Sequence, residues 1–240
     1  MTKFAVFDID GTLIRWQLYH ALADELARRG HIDEMTYRRM KDARMAWKQR
    51  TESSFRDYEQ QVIKVYELAL KNIGFAELDE AIELVFDEYK DQVYVYTREL
   101  IKTLKKRGYM LLAISGSQVE IIKKIARHYG FDDFEATVYE RGPKGFTGKK
   151  IVASHQKDKV LMELVRKHSL SYEGSIAVGD STSDIVMLEM VEQAVAFNPE
   201  EHLFEHAKRK GWKVVLERKN MFYEMEMSDG KYQLVKANAG

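Results

Sequence analysis

The sequence predicts an α/β protein: a doubly wound, Rossmann-like parallel-sheet core with an α-helical cap inserted near its start. Three observations lead to this prediction. A short apolar run at residues 4–7 ends at an Asp-Gly turn, as a buried strand does. Residues 16–89 contain no proline and repeat apolar side chains at helical spacing. From about residue 95 onward, short apolar runs alternate with amphipathic segments, a pattern typical of parallel strands covered by helices on both faces.

The predicted helical region directly follows the first strand. Gly30 and Gly74 are suited to end helices within it. We therefore assign residues 15–91 to the cap, and residues 1–14 and 92–240 to the α/β core. An insertion at this point lies above the carboxyl ends of the strands, where doubly wound sheets bind their ligands.

The predicted core continues as alternating strands and helices to the end of the chain. Its tail, about 221–236, has an Asp-Gly turn between two strand-like runs and predicts a hairpin. Two short strands around a glycine-bearing loop at 142–145 are also assigned to the core. The main predicted core elements are strands at 109–114 and 175–178 and helices at 117–129, 157–168 and 182–190.

Composition narrows the classes of function. The chain has 38 Lys and Arg residues against 38 Asp and Glu, so its formal charge is zero, and nucleic-acid binding is disfavoured. It has no cysteine, which excludes a thiol nucleophile, a disulfide framework and cysteine-ligated metal sites. No apolar run approaches the roughly 18 residues of a membrane span. Because the first predicted strand starts at Lys3, we expect no signal segment and a cytoplasmic location.

Polar side chains follow three predicted strands. Asp8 and Asp10 follow the first, Ser115 follows the strand at 109–114, and Asp180 and Asp184 follow the strand at 175–178. Neighbouring strand ends in a parallel sheet meet in one crevice. Carboxylates gathered there repel one another, and a hard cation such as Mg²⁺ relieves that repulsion.

Each of these groups has a structural alternative when taken alone. Asp-Gly after a strand is commonly a turn, and a serine before a helix is commonly an N-cap. Asp180 and Asp184 flank Ser-Thr-Ser, which is also suited to capping a helix. Their joint occurrence at successive strand ends favours a site.

The motifs together resemble those of the haloacid dehalogenase superfamily, in its phosphoserine phosphatase-like branch with a helical cap. The resemblance rests on Phe-Asp-Ile-Asp-Gly-Thr-Leu at 7–13, Ile-Ser-Gly-Ser at 114–117, a lysine near 157, and Val-Gly-Asp at 178–180 through Asp184. These motifs occur in the family's order and extend over nearly the whole predicted core. The first is highly specific, whereas the serine and lysine motifs are weak in isolation.

The resemblance implies a role for each motif residue. Asp8 would attack phosphorus, and Asp10 would protonate the leaving alkoxide and then activate water. Ser115 and the Gly116 amide would bind phosphoryl oxygens. The implied metal is Mg²⁺, with ligands from the Asp8 and Asp180 carboxylates and the Asp10 main-chain carbonyl, and with Asp184 beside them or near the lysine.

The lysine is a choice between two neighbours. Lys157 stands four residues before Leu161, which matches the pattern of the phosphoserine phosphatase-like branch. Lys159 is separated from Lys157 by one residue and would point roughly the opposite way on a helix. We therefore favour Lys157 as the group that neutralises the phosphoryl charge.

The cap departs from the phosphoserine phosphatase pattern at two positions. Gln17 stands where those enzymes carry a glutamate for the substrate's ammonium group, which counts against phosphoserine itself. Those enzymes also carry a cap arginine that meets the substrate carboxylate. In this chain the nearest register places Val62 at that position, and Arg56 is the candidate close to it.

The sequence thus predicts a Mg²⁺-dependent hydrolase of a small-molecule phosphate ester that forms an aspartyl-phosphate. A phosphotransferase or mutase would use the same motifs and is not separated by them. A catalytically weak phosphate-binding protein is the non-enzyme alternative, although binding alone needs no acid at Asp10. We expect no nucleic-acid or membrane partner, and the oligomeric state stays open.

Overall fold

The computed structural model describes residues 2–49, 55–143 and 145–239. Strands run over β1 (Lys3–Phe7), β2 (Met110–Gln118), β3 (Asp133–Gly142), β4 (Gly145–Ile151), β5 (Ser171–Gly179), β6 (Gln193–Phe197), β7 (Lys213–Arg218), β8 (Met221–Ser228) and β9 (Lys231–Ala239). Helices run over α1 (Leu18–Arg28), α2 (Glu34–Lys48), α3 (Phe55–Leu70), α4 (Phe75–Tyr89), α5 (Val95–Lys106), α6 (Val119–Tyr129), α7 (Lys157–Lys167), α8 (Ile185–Leu188) and α9 (Glu201–Lys210). Short 3₁₀ turns lie at Ala153–Gln156 and Thr182–Asp184.

The chain divides into two compact units. The core unit comprises Met1–Arg15, Lys90–Thr137 and Val152–Gly240. The helical unit comprises Trp16–Tyr89 and Val138–Ile151.

The core unit is built on a mostly parallel sheet. Its strand order is β3-β2-β1-β5-β6-β7-β8-β9. Every pair from β3 to β7 is parallel, and β8 and β9 then continue the sheet antiparallel. Because β1 lies between β2 and β5, the carboxyl ends of these three strands are adjacent, and their following loops meet at one edge.

Buried apolar side chains hold the parallel strands in place. Residues 4–7 of β1 are fully buried, as expected for a strand with helices on both faces of its sheet. Phe4 and Val6 pack in one cluster with Leu161 of α7 and Leu203 of α9. Burying each such side chain contributes about 1.5–3 kcal/mol to stability. This packing fixes the strand ends that carry the polar motifs.

The helical unit contains α1 to α4 and also a β-hairpin, which corrects the predicted assignment of that hairpin to the core. The hairpin pairs the end of β3 with β4. Phe146 packs edge-to-face on Phe75 of α4, with ring centroids 5.2 Å apart. The Tyr139 hydroxyl donates to Glu67 of α3 at 3.3 Å. The sequence indicated the two strands, but these contacts with helices distant in the chain decide the unit to which they belong.

Other predicted bounds also differ from the structure. The predicted helix at 117–129 begins at Val119, because β2 continues through Gln118, which pairs with Thr137 of β3. The predicted tail hairpin extends through Ala239 as β8 and β9. Within the described residues, every helix is too short or too polar to cross a bilayer.

Candidate active site

The loop after β1 is a tight turn that carries two aspartates. The Asp8 amide donates to Val178 of β5 at 3.0 Å, which fixes the strand end. The amides of Leu13 and Ile14 both donate to the Ile9 carbonyl at 2.9 Å and close the turn. Both aspartates are buried, with exposed fractions of 6% for Asp8 and 7% for Asp10.

Three carboxylates meet beside this turn. Asp8, Asp180 and Asp184 each offer one oxygen, and these oxygens lie within 4.8 Å of one another. Asp180 follows β5, so the adjacency of β1 and β5 explains the meeting. Carboxylate oxygens are the ligands preferred by hard divalent cations. The group could therefore hold a metal ion.

Lys157 bridges two of the three carboxylates. Its Nζ donates to Asp8 Oδ1 and to Asp184 Oδ1, each at 2.6 Å. Its side chain is 1% exposed, and it is the first residue of α7. Lys159, the alternative considered from the sequence, is exposed on the same helix. The structure therefore brings Lys157, and not Lys159, to the aspartates.

Burial and like charge shift the ionisation of this cluster. Burial raises the pKa of Asp8 to about 8, and Asp184 and Asp10 add to the shift while Lys157 opposes it. Burial, reinforced by Asp8 and Asp184, also holds the pKa of Asp180 well above its usual range. Burial disfavours the charged ammonium of Lys157, but Asp184 and Asp8 outweigh it, so the pKa of Lys157 lies above its usual value.

Asp184 accepts hydrogen bonds from the loop after β5 as well as from Lys157. Its Oδ2 accepts from the amides of Asp180 at 3.0 Å and Ser181 at 2.9 Å. Ser181 and Asp184 form a capping box over the 3₁₀ turn. The capping role considered from the sequence is therefore present together with the position in the acidic cluster.

Two serines hold the Asp10 carboxylate. The Ser115 hydroxyl donates to Asp10 Oδ2 at 2.7 Å, and the Ser117 hydroxyl donates to Asp10 Oδ1 at 2.9 Å. Both serines are on β2, two residues apart, so they project to the same side. Sequence reasoning missed Ser117 because it placed the start of a helix there. Its two-residue spacing from Ser115 was the available signal.

The other predicted binding residues have separate positions. Gly116 lies between the two serines, and its carbonyl accepts from the Thr137 hydroxyl at 2.7 Å. Gln17 belongs to the helical unit, where its carbonyl accepts from the amides of His20 and Ala21 at the start of α1. The Arg56 side chain lies outside the described residues. The substrate contacts expected of Gln17 and Arg56 stay predictions.

The fold and this cluster define a carboxylate-lined site at the carboxyl edge of the parallel sheet of an α/β protein. The model of the haloacid dehalogenase-like hydrolase family matches residues 5–189, which is more than half of the chain. The chain belongs to this family. The family and the fold class predicted from the sequence are thereby confirmed.

Curated relatives carry names of phosphatases. The chain is 28% identical over 229 residues to a histidinol-phosphatase of Neisseria meningitidis, covering 90% of this chain and 99% of the relative. It is 26% identical over 204 residues to a phosphoserine phosphatase of Archaeoglobus fulgidus, covering 84% of this chain. The chain spans about half the length of that second relative, 54%.

Solved structures share the fold. A Bordetella pertussis protein of unknown function has a TM-score of 0.73 at 24% identity, with 89% of this chain and 98% of that chain covered. A phosphoserine phosphatase solved as an analogue of its phospho-aspartyl intermediate has a TM-score of 0.63 at 22% identity, with 91% and 94% covered. At these identities the likeness concerns the fold alone.

Proposed function

We propose that this protein is a Mg²⁺-dependent phosphomonoester hydrolase that works through an aspartyl-phosphate. The observation that carries the proposal is the buried Lys157 between Asp8 and Asp184, next to a second carboxylate, Asp10, that two serines orient. A lysine in that position lowers the cost of bringing an anionic carboxylate to an anionic phosphoryl group. Family membership and the phosphatase relatives support the same reaction.

The proposed reaction has two displacements at phosphorus. An Asp8 oxygen bonds to phosphorus while the ester P–O bond breaks, and Asp10 gives its proton to the departing alkoxide. A water oxygen then attacks the aspartyl-phosphate and passes a proton to Asp10. The P–O bond to Asp8 breaks, its electron pair returns to the carboxylate, and phosphate is released. Ser115 and the Gly116 amide bind the phosphoryl oxygens in this scheme.

The residues present fit a magnesium ion. Asp8, Asp180 and Asp184 form an all-oxygen donor set, and a glycine at position 11 leaves the Asp180 carboxylate the space it occupies. We propose Asp8, Asp180 and the Asp10 carbonyl as ligands, with Asp184 beside them. When bound, Mg²⁺ supplies positive charge that offsets the carboxylates and the phosphoryl oxygens.

The proposed substrate is a small phosphate ester, with the helical unit as a cap that excludes water from the reaction. The relatives include enzymes named for phosphoserine and for histidinol phosphate. Gln17 and Arg56 stay candidates for contact with the leaving group, and the neutral amide of Gln17 does not favour phosphoserine. A cytoplasmic location is part of the same proposal.

A screen of phosphorylated metabolites with and without Mg²⁺ tests the proposal. We expect phosphate release that requires Mg²⁺ and a phosphoenzyme that Asp8→Asn abolishes. If no ester is hydrolysed, including an activated aryl phosphate, the hydrolase proposal is wrong. If the phosphoryl group goes to an added alcohol in preference to water, the protein is a phosphotransferase instead.

A further inference from the structure

Ser117 is a buried hydroxyl that no motif assigns to the reaction. It is 1% exposed and lies on β2, where its hydroxyl donates to Asp10 Oδ1 at 2.9 Å. Its amide donates to the Ser115 oxygen at 2.9 Å. The other oxygen of the same carboxylate, Oδ2, accepts from Ser115 at 2.7 Å. The two oxygens of Asp10 are thus held by different serines.

The Ser115 hydroxyl cannot keep its bond to Asp10 throughout the proposed reaction. A serine hydroxyl has a single proton to donate. When Ser115 donates that proton to a phosphoryl oxygen, it no longer donates to Asp10 Oδ2. The Ser117 bond is to Oδ1, the other oxygen of the carboxylate, and needs no change. Ser117 is then the serine that still orients Asp10.

We infer that Ser117 is a positioning residue that holds Asp10 Oδ1 and leaves Oδ2 as the atom that carries the transferred proton. In the first displacement, the Oδ2 proton goes to the ester oxygen as that oxygen takes the electron pair of the breaking P–O bond. In the second, water bonds to phosphorus and its proton returns to Oδ2. This inference rests on the proposed function, because it assigns an atom within that reaction.

Removing the Ser117 hydroxyl tests this role. Ser117→Ala adds no volume and keeps the backbone amide that Ser115 uses. Losing a hydrogen bond to a charged group corresponds to a loss of about 10-fold or more in kcat on an alkyl phosphate. KM should change little, because Ser117 contacts the acid and not the substrate. On p-nitrophenyl phosphate the loss should be smaller than about threefold, since a stable leaving anion needs little protonation.

Two further variants separate positioning from general damage to the sheet. Ser175→Ala removes a similarly buried hydroxyl from β5, where it donates to the Tyr172 carbonyl, and should leave both activities near wild type. In the Asp10→Asn background, Ser117→Ala should lower kcat on the alkyl phosphate by less than about twofold, because there is no acid left to orient. Ser117→Thr should recover part of the loss by restoring the hydroxyl.

The outcomes are distinguishable from failure of the proposed function. A wild-type protein that hydrolyses no ester contradicts the proposed function itself. An active wild type with an equally active Ser117→Ala variant on alkyl phosphates overturns only the inference. The inference is also overturned if Ser117→Ala lowers kcat by the same factor in the Asp10→Asn background as in the wild type. It is overturned as well if the variant slows the hydrolysis of alkyl and aryl esters equally.

Discussion

Gly11 lies against the acidic cluster at a position where both the backbone conformation and the available space require a glycine. Its φ of +84° lies in the left-handed region that favours glycine. A Cβ at this position would lie 2.3 Å from Asp180 Oδ2. Any side chain here must therefore displace the Asp180 carboxylate, which the Thr12 hydroxyl contacts at 3.1 Å.

Gly11→Ala is expected to weaken Mg²⁺ binding and lower phosphatase activity by at least about 10-fold, because a displaced ligand forfeits more than about 1.4 kcal/mol. Calorimetric titration with Mg²⁺ and kcat/KM measure the two effects. Gly108→Ala is the matched control, since its φ is +77° and its Cβ would meet no atom within 4 Å. Backbone strain should cost both variants about 1–2 kcal/mol of stability, but Gly108→Ala should keep its metal affinity. Equal metal affinity in the two variants would contradict the role given to the Gly11 contact.

At the scale of elements, α1 is held in the helical unit by an aromatic cluster around His20. The His20 ring has an exposed fraction of 0% and packs edge-on against Tyr19 and Tyr58, at centroid distances of 4.4 and 4.8 Å. Its Nδ1 lies 3.3 Å from the Tyr58 hydroxyl. Burial, with a further contribution from Arg44, lowers the pKa of His20 to about 3. The folded protein thus holds this histidine neutral.

This burial predicts a loss of stability in mild acid. The unfolded chain takes up a proton near pH 6.5, whereas the folded protein does so only near pH 3, so protons favour the unfolded state between these values. The contribution of neutral His20 to the free energy of unfolding is fully present above pH 6.5, and it has fallen by about 2 kcal/mol at pH 5. Urea unfolding of the wild type and of His20→Phe across this range measures it.

His20→Phe should flatten the pH dependence, because phenylalanine keeps an aromatic ring and removes the titrating group. His155→Gln is the control, since His155 is exposed and its loss should leave the slope unchanged. A wild type and a His20→Phe variant with parallel pH profiles would show that His20 does not govern acid stability.

Element type was predictable from the sequence more fully than element packing was. Short, continuous apolar runs predicted the parallel strands, because strands buried on both faces must be apolar along their length. It could not assign the hairpin at 138–151, because Phe146 meets Phe75 only after the chain has folded. Because neighbouring strand ends of a parallel sheet meet in one crevice, the sequence also predicted that Asp8 and Asp180 lie close together. The extension of β2 through Ser117 was missed, since it depends on the pairing of Gln118 with Thr137.

At the scale of the whole molecule, the protein gathers like charges, two of them buried and one half-buried, that a structural core would avoid. Asp8, Asp180 and Asp184 are crowded together, and Lys157 supplies one positive charge among them. Without a metal ion, the folded state must either bear their repulsion or take up a proton, and both reduce its stability. Sites of this kind commonly exchange stability for activity.

Asp180→Asn should therefore stabilise the metal-free protein while it removes activity. An asparagine oxygen can still accept from Thr12, and the charge opposed by burial, Asp8 and Asp184 is lost. We expect a gain of about 1–2 kcal/mol, which for a chain of this size raises Tm by about 2–8 °C. Mg²⁺ should raise the Tm of the wild type and leave that of Asp180→Asn nearly unchanged. Thermal unfolding at pH 7.5, with chelator and then with Mg²⁺, measures both effects.

Asp24→Asn provides a matched control with the opposite expected sign. Asp24 accepts two hydrogen bonds from Arg44, both at 2.9 Å, so its charge is compensated in the folded state. Removing that charge should lower the free energy of unfolding by about 1.5–3 kcal/mol. Opposite shifts from the same chemical change would identify the uncompensated charge as the cause, because loss of a carboxylate is common to both variants. A metal-free Asp180→Asn variant less stable than the wild type would mean that Lys157 already compensates the cluster, and that a cation is not needed to stabilise it.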